Sequence, residues 1–226
     1  MRVLAIDTAL EACAAAVVDT DSGATLAQES LPMARGHAEA LMPLMARVMA
    51  AAKVDFSALD RIATTVGPGS FTGLRVGIAA ARGIALASGK PAVGVSTLAA
   101  LAAPHLDRGD ARIIVAAIDG RHDQVYLQIF GPGGRSLATP RLAAVADAVR
   151  SAATGPALIV GSGAEVLAAR WPQGVPRPTL DACKAPDIIS VARVGSAADT
   201  TRALPKPLYL RRPDARPQDA ARLPRR

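Results

Sequence analysis

The same short pattern opens each half of the chain: an apolar strand that ends in aspartate and leads into a hairpin. Residues 3–7 read Val-Leu-Ala-Ile-Asp, and residues 115–119 read Val-Ala-Ala-Ile-Asp. Each copy is followed by a second strand, a glycine-containing turn and a third strand, and then by helices that alternate with strands. Two successive β-β-β-α-β-α units predict a duplicated α/β fold with mixed β-sheets flanked by helices.

Hydrophobic periodicity predicts the individual elements. The segment 37–53 has apolar residues at the i, i+3, i+4, i+7, i+8 spacing of a helix, and a second helix over 73–88 stops at Gly89 and Pro91. Further helices are predicted near 97–103, 141–152, 164–170 and 185–198. Strands are predicted at 2–6, 12–18, 24–30, 61–66, 92–95, 112–118, 124–130, 135–138, 157–160 and 204–210.

A strand that ends in aspartate before a hairpin, present twice, is similar to the plan of the actin-like, Hsp70-like and sugar-kinase ATPases, the ASKHA or ribonuclease H-like fold. In that plan a glycine in the hairpin lets backbone amides wrap a phosphate. Here the first copy reads Asp7-Thr8-Ala9-Leu10, the second reads Asp119-Gly120-Arg121, and Gly161-Ser162-Gly163 opens a later helix. Because the first hairpin lacks its glycine, we predict no cofactor, with a residual nucleotide site as the alternative.

Charge and cysteine content narrow the class of protein. Residues 201–226 hold eight basic side chains and two acidic ones, a net of +6 out of the total of +7. A basic end of this kind can contact phosphates, but it is more often a solvated terminus. Two cysteines supply no disulfide framework and no cysteine zinc site, and no apolar run is long enough to span a membrane, so a cytoplasmic location is expected.

The repeat also predicts the domain organisation. We expect an N-terminal actin-like subdomain over residues 1–106 that carries the partner-binding helices. A C-terminal actin-like subdomain is expected over 107–212. A basic tail is expected over 213–226, and its low apolar content predicts that it is disordered.

The most specific segment is 66–77, which reads Val-Gly-Pro-Gly-Ser-Phe-Thr-Gly-Leu-Arg-Val-Gly. Glycines around Ser70 are reminiscent of a Gly-x-Ser-x-Gly nucleophile elbow, but Thr72 stands where that motif needs its second glycine. We therefore favour a structural loop in which Ser70 or Thr72 caps the following helix, and we predict no catalytic residue. The predicted motif loop comprises Gly67, Pro68, Gly69, Ser70, Phe71 and Thr72.

A histidine and a glutamate at the start of the first helix suggest metal chemistry. A helical zinc or iron site needs a second ligand four residues after His37, where the chain has Leu41. Glu39 is accounted for by the positive end of the helix dipole. We therefore predict no metal site.

Two apolar helices are candidates for a partner interface. Small residues recur at every fourth position of the helix 73–88, a pattern that lets another helix approach closely. Methionines on the helix 37–53 suit an adaptable contact surface. The predicted interface comprises Leu41, Met42, Met45, Met49, Gly73, Gly77, Ala81 and Ala85. The alternative is that the same residues pack inside the chain's own core.

The residues already quoted carry a family resemblance. Ile6-Asp7-Thr8, His37-Ala38-Glu39, the block 67–77 and Tyr209-Leu210-Arg211 resemble the TsaB family, most specifically in the glycine-rich block. The family provides the dimerisation subunit of the bacterial complex that makes threonylcarbamoyladenosine in tRNA. The resemblance implies the duplicated actin-like fold, partnership with a TsaD-type catalytic paralogue and a TsaE-type ATPase, and tRNA contact only indirectly, through the complex.

The resemblance leads to a specific functional expectation. The chain is expected to be a non-catalytic scaffold, to form a homodimer when alone, and to serve threonylcarbamoyl transfer to the adenosine 3′ of the anticodon in tRNAs that read codons beginning with A. His37 followed by Leu41 departs from the His-x-x-x-His metal pair of the catalytic paralogue. The alternative is a stand-alone actin-fold kinase or metallohydrolase, in line with the glycoprotease label that the family has sometimes carried.

Overall fold

Two five-stranded sheets with the same strand order form the centre of the molecule. In this computed structural model, which describes residues 1–106 and 111–211, the orders are β3-β2-β1-β4-β5 and β8-β7-β6-β9-β10. In each sheet the first three strands are antiparallel and the last three are parallel. The predicted duplicated α/β fold with two mixed sheets is therefore confirmed.

Most of the predicted helices and strands are present, in the predicted order. The first half contains β1 (Arg2–Asp7), β2 (Ala12–Asp19), β3 (Ala24–Pro32), α1 (His37–Ala52), β4 (Arg61–Gly67), α2 (Phe71–Ser88), β5 (Ala92–Ser96) and α3 (Thr97–Leu106). The second half contains β6 (Ile113–Arg121), β7 (Gln124–Phe130), β8 (Ser136–Ala144), α4 (Val145–Ala152), β9 (Ala157–Val160), α5 (Ala164–Ala168), β10 (Thr179–Asp181) and α6 (Ile188–Ala197).

Each sheet has helices on both faces, and one face of each sheet is covered by a helix from the other half of the chain. Helices α1 and α2 pack on one face of the first sheet, around Leu4 and Ile6. The other face, which includes Val3 and Ala5, is covered by α6, from the far end of the chain. In turn, α3 contributes Leu98 to the second sheet. The division after residue 106 stays a prediction, and these contacts tie residues on both sides of it together.

Two predicted boundaries are wrong for identifiable reasons. Residues 141–144 extend β8 rather than open a helix, because they pair with β7, as in the Val125–Ala143 pair. The last predicted strand, 204–210, is absent, because Pro205 and Pro207 have no N–H to donate to a ladder. The backbone of this segment makes isolated hydrogen bonds instead of a ladder, among them the bond from Leu208 N to Val66 O.

Two further predictions concern the C-terminal tail and membrane-spanning helices. The tail predicted at 213–226 lies outside the described residues. Within the described part of the chain, every helix is too short or too polar to cross a lipid bilayer.

The packing of α6 against the first sheet depends on Gly195, and this gives a first prediction. A β-carbon at Gly195 would lie 2.3 Å from the Ala63 Cβ, so Gly195→Ala must push α6 away from the sheet. We expect a loss of about 1–3 kcal/mol in the free energy of unfolding, measured by urea denaturation. Gly155→Ala, which adds a methyl group in open space, is the matched control. Equal stability of the two variants would contradict the described packing.

Candidate functional site

The glycine-rich block lies directly against the first hairpin loop. The backbone N–H of Ser70 donates to the carbonyl of Ala9 over 2.7 Å, and the hydroxyl of Thr8 donates to the carbonyl of Gly73 over 2.7 Å. A β-carbon on Gly69 would lie 2.4 Å from the Ala9 oxygen, and one on Gly73 would lie 2.1 Å from the Thr8 oxygen. The glycines are therefore required for backbone-to-backbone contact, and the block fills the space beside the loop.

The hydrogen bonds of the first hairpin loop decide whether it can bind the phosphate of a nucleotide. A phosphate loop needs free backbone amides, but the amide of Ala9 donates to Asp7 Oδ1 over 3.1 Å, and that of Glu11 donates to the carbonyl of Lys184 over 3.4 Å. The loop has no glycine, and its outer side is covered by Ser70. The residues present at this hairpin do not fit the phosphate of a nucleotide.

Ser70 caps helix α2. Its hydroxyl accepts a hydrogen bond from the backbone N–H of Gly73 over 3.3 Å, and the helix begins at Phe71, two residues earlier than predicted. The capping prediction is confirmed for Ser70, whereas Thr72 lies inside the first turn. Gly67 and Pro68 are buried, and Phe71 projects into solvent.

Asp7, at the end of β1, is a fully buried carboxyl group. Its Oδ1 accepts hydrogen bonds from the Thr65 hydroxyl, over 2.6 Å, and from the Ala9 backbone. Its Oδ2 is buried without a hydrogen-bond partner among the described residues. Burial raises the pKa of Asp7 from 3.8 to about 6, against the opposing effects of the two hydrogen bonds and of His37. Asp7 therefore anchors the loop rather than facing a ligand.

His37, rejected as a metal ligand for lack of a second ligand, has a structural partner. Its Nε2 lies 3.1 Å from the carbonyl of Leu10, and because a carbonyl only accepts, Nε2 carries the proton. The bond ties the start of α1 to the first hairpin loop, whereas Glu39 is exposed in the first turn of the helix. Within residues 1–106 and 111–211, no three His, Cys, Asp or Glu side chains are grouped as a metal would require.

The two halves of the chain enclose a polar cavity of about 480 Å³. Ser70 and Glu11 line it from the first half, and Asp119 and Ser162 line it from the second. Asp119 is exposed there, unlike Asp7, and its backbone N–H donates to Ser162 Oγ over 3.2 Å.

Most of the predicted interface residues lie on the buried side of their helices. Gly73, Gly77 and Ala81 face the chain's own sheet, and a β-carbon on Gly77 would lie 2.5 Å from Thr8 Oγ1. The prediction that the methionines of α1 form a contact surface is wrong for Met45 and Met49, which are buried. Leu41 and these two methionines are buried in the core cluster of the first sheet, and Ala85 is partly buried beside it. Of the eight predicted residues, Met42 is the one that is exposed.

A second small-residue row, offset by two positions, faces outward on α2. Ala79, Gly83 and Ala87 recur at every fourth residue and are all exposed, and nothing lies within 4 Å of a β-carbon placed on Gly83. Leu86 beside this row is 87% exposed, and Met42 on α1 is 57% exposed. Sequence reasoning missed the row because α2 carries small residues on both of its sides. We call Met42, Ala79, Gly83, Leu86 and Ala87 the outer face.

The outer face borders an apolar groove between α1 and α2. The groove has a volume of about 500 Å³, and Met42, Ile84 and Phe56 lie along its walls. Exposed apolar area of this kind on a folded chain is typical of an interaction surface.

Comparison with known proteins decides the family. The family model for TsaD, tRNA N6-adenosine threonylcarbamoyltransferase, matches residues 31–207. The TsaB protein of Escherichia coli, a tRNA threonylcarbamoyladenosine biosynthesis protein, is 38% identical over 126 residues, which are 56% of this chain and 53% of that protein. The crystal structure of YeaZ, the TsaB homologue of Pseudomonas aeruginosa, superposes with a TM-score of 0.75 at 30% identity, over 92% of this chain and 99% of that one. The chain belongs to the TsaB family.

The relatives differ in how much of this TsaB-family chain they match. The aligned region spans about half the length of the E. coli protein, whereas an uncharacterized Mycobacterium tuberculosis protein is 35% identical over 95% of this chain and 94% of its own. The predicted actin-like fold is confirmed over nearly the whole length by the YeaZ superposition.

The buried carboxyl of Asp7 gives a prediction about pH. Its pKa is higher in the folded than in the unfolded chain, so the free energy of unfolding falls as the pH rises from about 3.8 to about 6 and then stays lower. The difference corresponds to about 3 kcal/mol. Asp7→Asn removes the buried charge, and we expect the variant to be more stable than the native chain at pH 7 and above, by up to this amount.

Urea denaturation at several pH values measures the difference. The advantage of Asp7→Asn should shrink towards acid pH, where Asp7 is protonated in both states. Comparing the variant with the native chain cancels the titration of the other carboxyl groups. A difference that does not change with pH would contradict the burial argument.

Proposed function

We propose that this chain is the scaffold subunit of a tRNA threonylcarbamoyladenosine biosynthesis complex. In this role it binds a TsaD-type catalytic paralogue and, with it, a TsaE-type ATPase. The complex transfers threonylcarbamoyl to the adenosine 3′ of the anticodon in tRNAs that read codons beginning with A. The E. coli relative, a tRNA threonylcarbamoyladenosine biosynthesis protein, and the matching TsaD family support the biosynthetic role. A tRNA substrate implies that the protein works in the cytoplasm.

The outer face is the observation that carries the proposal. It combines small residues, which allow two helices to approach closely, with the exposed side chains of Met42 and Leu86. An apolar strip on a helix pair suits a similar helix pair on a partner of the same fold. The same strip can pair with itself about a two-fold axis, and we therefore expect a homodimer when the paralogue is absent.

The non-catalytic part of the proposal rests on the first hairpin loop. Ser70 serves as a helix cap, His37 bonds to a carbonyl, and Asp7 is buried behind the loop. Burial, together with the charges of Asp7 and Glu29, raises the pKa of the Cys13 thiol to about 11, which leaves it unreactive. In this part of the first half, the side chains that a hydrolase or kinase would use are thus engaged in holding the fold together.

A stand-alone actin-fold kinase or metallohydrolase is the second candidate, and the polar cavity between the halves favours it. Metal analysis of the purified chain and calorimetric titration with magnesium ATP separate the two. The scaffold proposal expects no stoichiometric metal and no micromolar affinity for ATP. Either finding would contradict it in favour of the enzyme.

The outer face gives a prediction with a matched pair of variants. Gly83→Leu adds a bulky side chain where the surroundings are open, so the chain should fold normally but no longer dock a helix. We expect its affinity for the catalytic paralogue to fall about tenfold or more, since over-packing costs ~1–3 kcal/mol. Gly77→Leu should instead unfold the chain, because its β-carbon meets Thr8.

Calorimetry or sedimentation with the paralogue from the same organism measures binding, and circular dichroism reports folding. A folded Gly83→Leu variant that binds the paralogue as tightly as the native chain would show that the outer face is not the interface.

A further inference from the structure

Two of the segments that carry the family resemblance meet at one point on the surface. The rings of Phe71, at the start of α2, and Tyr209, near the end of the described chain, are stacked with their centroids 5.7 Å apart and their planes 26° apart. The Arg75 Cζ lies 3.7 Å from the centroid of the Phe71 ring, and Arg75 Nε donates to the Tyr209 hydroxyl over 3.2 Å. Each of the three side chains is held by the other two. We call these three residues the aromatic platform.

The aromatic platform is ordered and yet exposed. Phe71 is 56% exposed and Tyr209 is 49% exposed, although the chain has only six aromatic residues. Trp171 and Phe130, in contrast, are buried. Rings that serve only stability are covered by the core. Rings that are fixed by neighbours and left half in solvent are typical of a binding surface.

A cavity of about 400 Å³ adjoins the platform, a size that accommodates a nucleoside. Tyr126 and Arg211 line its other side, and no acidic side chain lines it. Arg211 is fixed in place by hydrogen bonds from Nη2 to the Gly120 carbonyl, over 2.9 Å, and to Gln124 Oε1, over 2.8 Å. The site therefore presents flat rings and two guanidinium groups, which complement a base and its phosphates.

The sequence beyond the cavity has the same charge. Arg211 is followed at once by Arg212, and the last 26 residues carry a net charge of +6 out of the chain's total of +7. This net charge favours a polyanion as the ligand.

We propose that Phe71, Arg75 and Tyr209 form a stacking platform for an unpaired base of RNA, with Arg75 and Arg211 beside the flanking phosphates. Single-stranded RNA is recognised in this way, by aromatic and guanidinium planes on splayed-out bases. This goes beyond the proposed function, in which tRNA reaches the chain only through the complex. It rests on that function only in the choice of tRNA as the RNA.

The test uses the full chain and a tRNA anticodon stem-loop with a fluorescent adenine analogue in its loop. We expect binding at low salt, with a change in fluorescence as the analogue stacks. Tyr209→Ala should weaken binding about tenfold or more, because a stacked base is lost. Tyr209→Phe, which keeps the ring, should retain most of the affinity. Arg75→Gln should reduce the salt dependence of binding as well as the affinity.

A matched control distinguishes the platform from exposed aromatic surface in general. Phe56 is 39% exposed beside the groove, away from the platform, and Phe56→Ala should bind the stem-loop as the native chain does. Gly83→Leu should also keep its RNA affinity while it loses the protein partner, so failure of this inference and failure of the proposed function give different results.

Three outcomes would overturn the inference. The native chain could fail to bind the stem-loop even at low salt. A folded Tyr209→Ala variant could bind it with native affinity, which would assign any binding to charge alone. Tyr209→Ala could weaken binding of the catalytic paralogue but not of the RNA, which would make the platform a protein contact.

Discussion

The contact between the first hairpin loop and the glycine-rich block determines much of the structure. Gly69 and Gly73 bring two stretches of backbone together at a distance that no β-carbon allows, and the bond from Ser70 to Ala9 closes the contact. As a result the start of α2 is fixed, Ser70 becomes its cap, and the inner row of the helix lies against Thr8. This placement determines which residues of α2 face solvent.

The second half makes a related contact at a different place along the chain. Gly163 donates its backbone N–H over 3.0 Å to the carbonyl of Ala117, which lies within β6 and two residues before Asp119, whereas Ser70 donates to Ala9, two residues after Asp7. However, the strand-end aspartate is exposed in the second copy and buried in the first. One side of the polar cavity between the halves is therefore lined by the second hairpin loop, whose aspartate is exposed, and the other side by the first hairpin loop, whose aspartate is buried. This asymmetry supports the proposed scaffold role over a nucleotide-dependent one.

Sequence periodicity predicted most of the elements but not the surfaces: it missed β10, and the strand predicted at 204–210 is absent. The apolar spacing of α1 predicted the helix, but Leu41, Met45 and Met49 of its buried side were assigned to a partner interface. Helix α2 has small or apolar residues nearly all round, with Arg75 and Arg82 as its only charges, so hydropathy did not show which small-residue row faces inward. That choice depends on Thr8 and Thr64, which are distant in sequence and meet Gly77 only in the folded chain. The pairing of Phe71 with Tyr209 was invisible for the same reason, since it depends on where an irregular terminal segment runs.

The central claim is that the outer face of α1 and α2 is covered by a protein partner. Hydroxyl-radical footprinting of the chain with and without the catalytic paralogue tests it directly, because Met42 and Leu86 are exposed in the free chain. Leu137 and Leu180, exposed in the second half, serve as internal references. The account predicts that oxidation of Met42 and Leu86 falls in the complex while that of the references is unchanged. Unchanged oxidation of Met42 and Leu86 in a complex that has formed would contradict it.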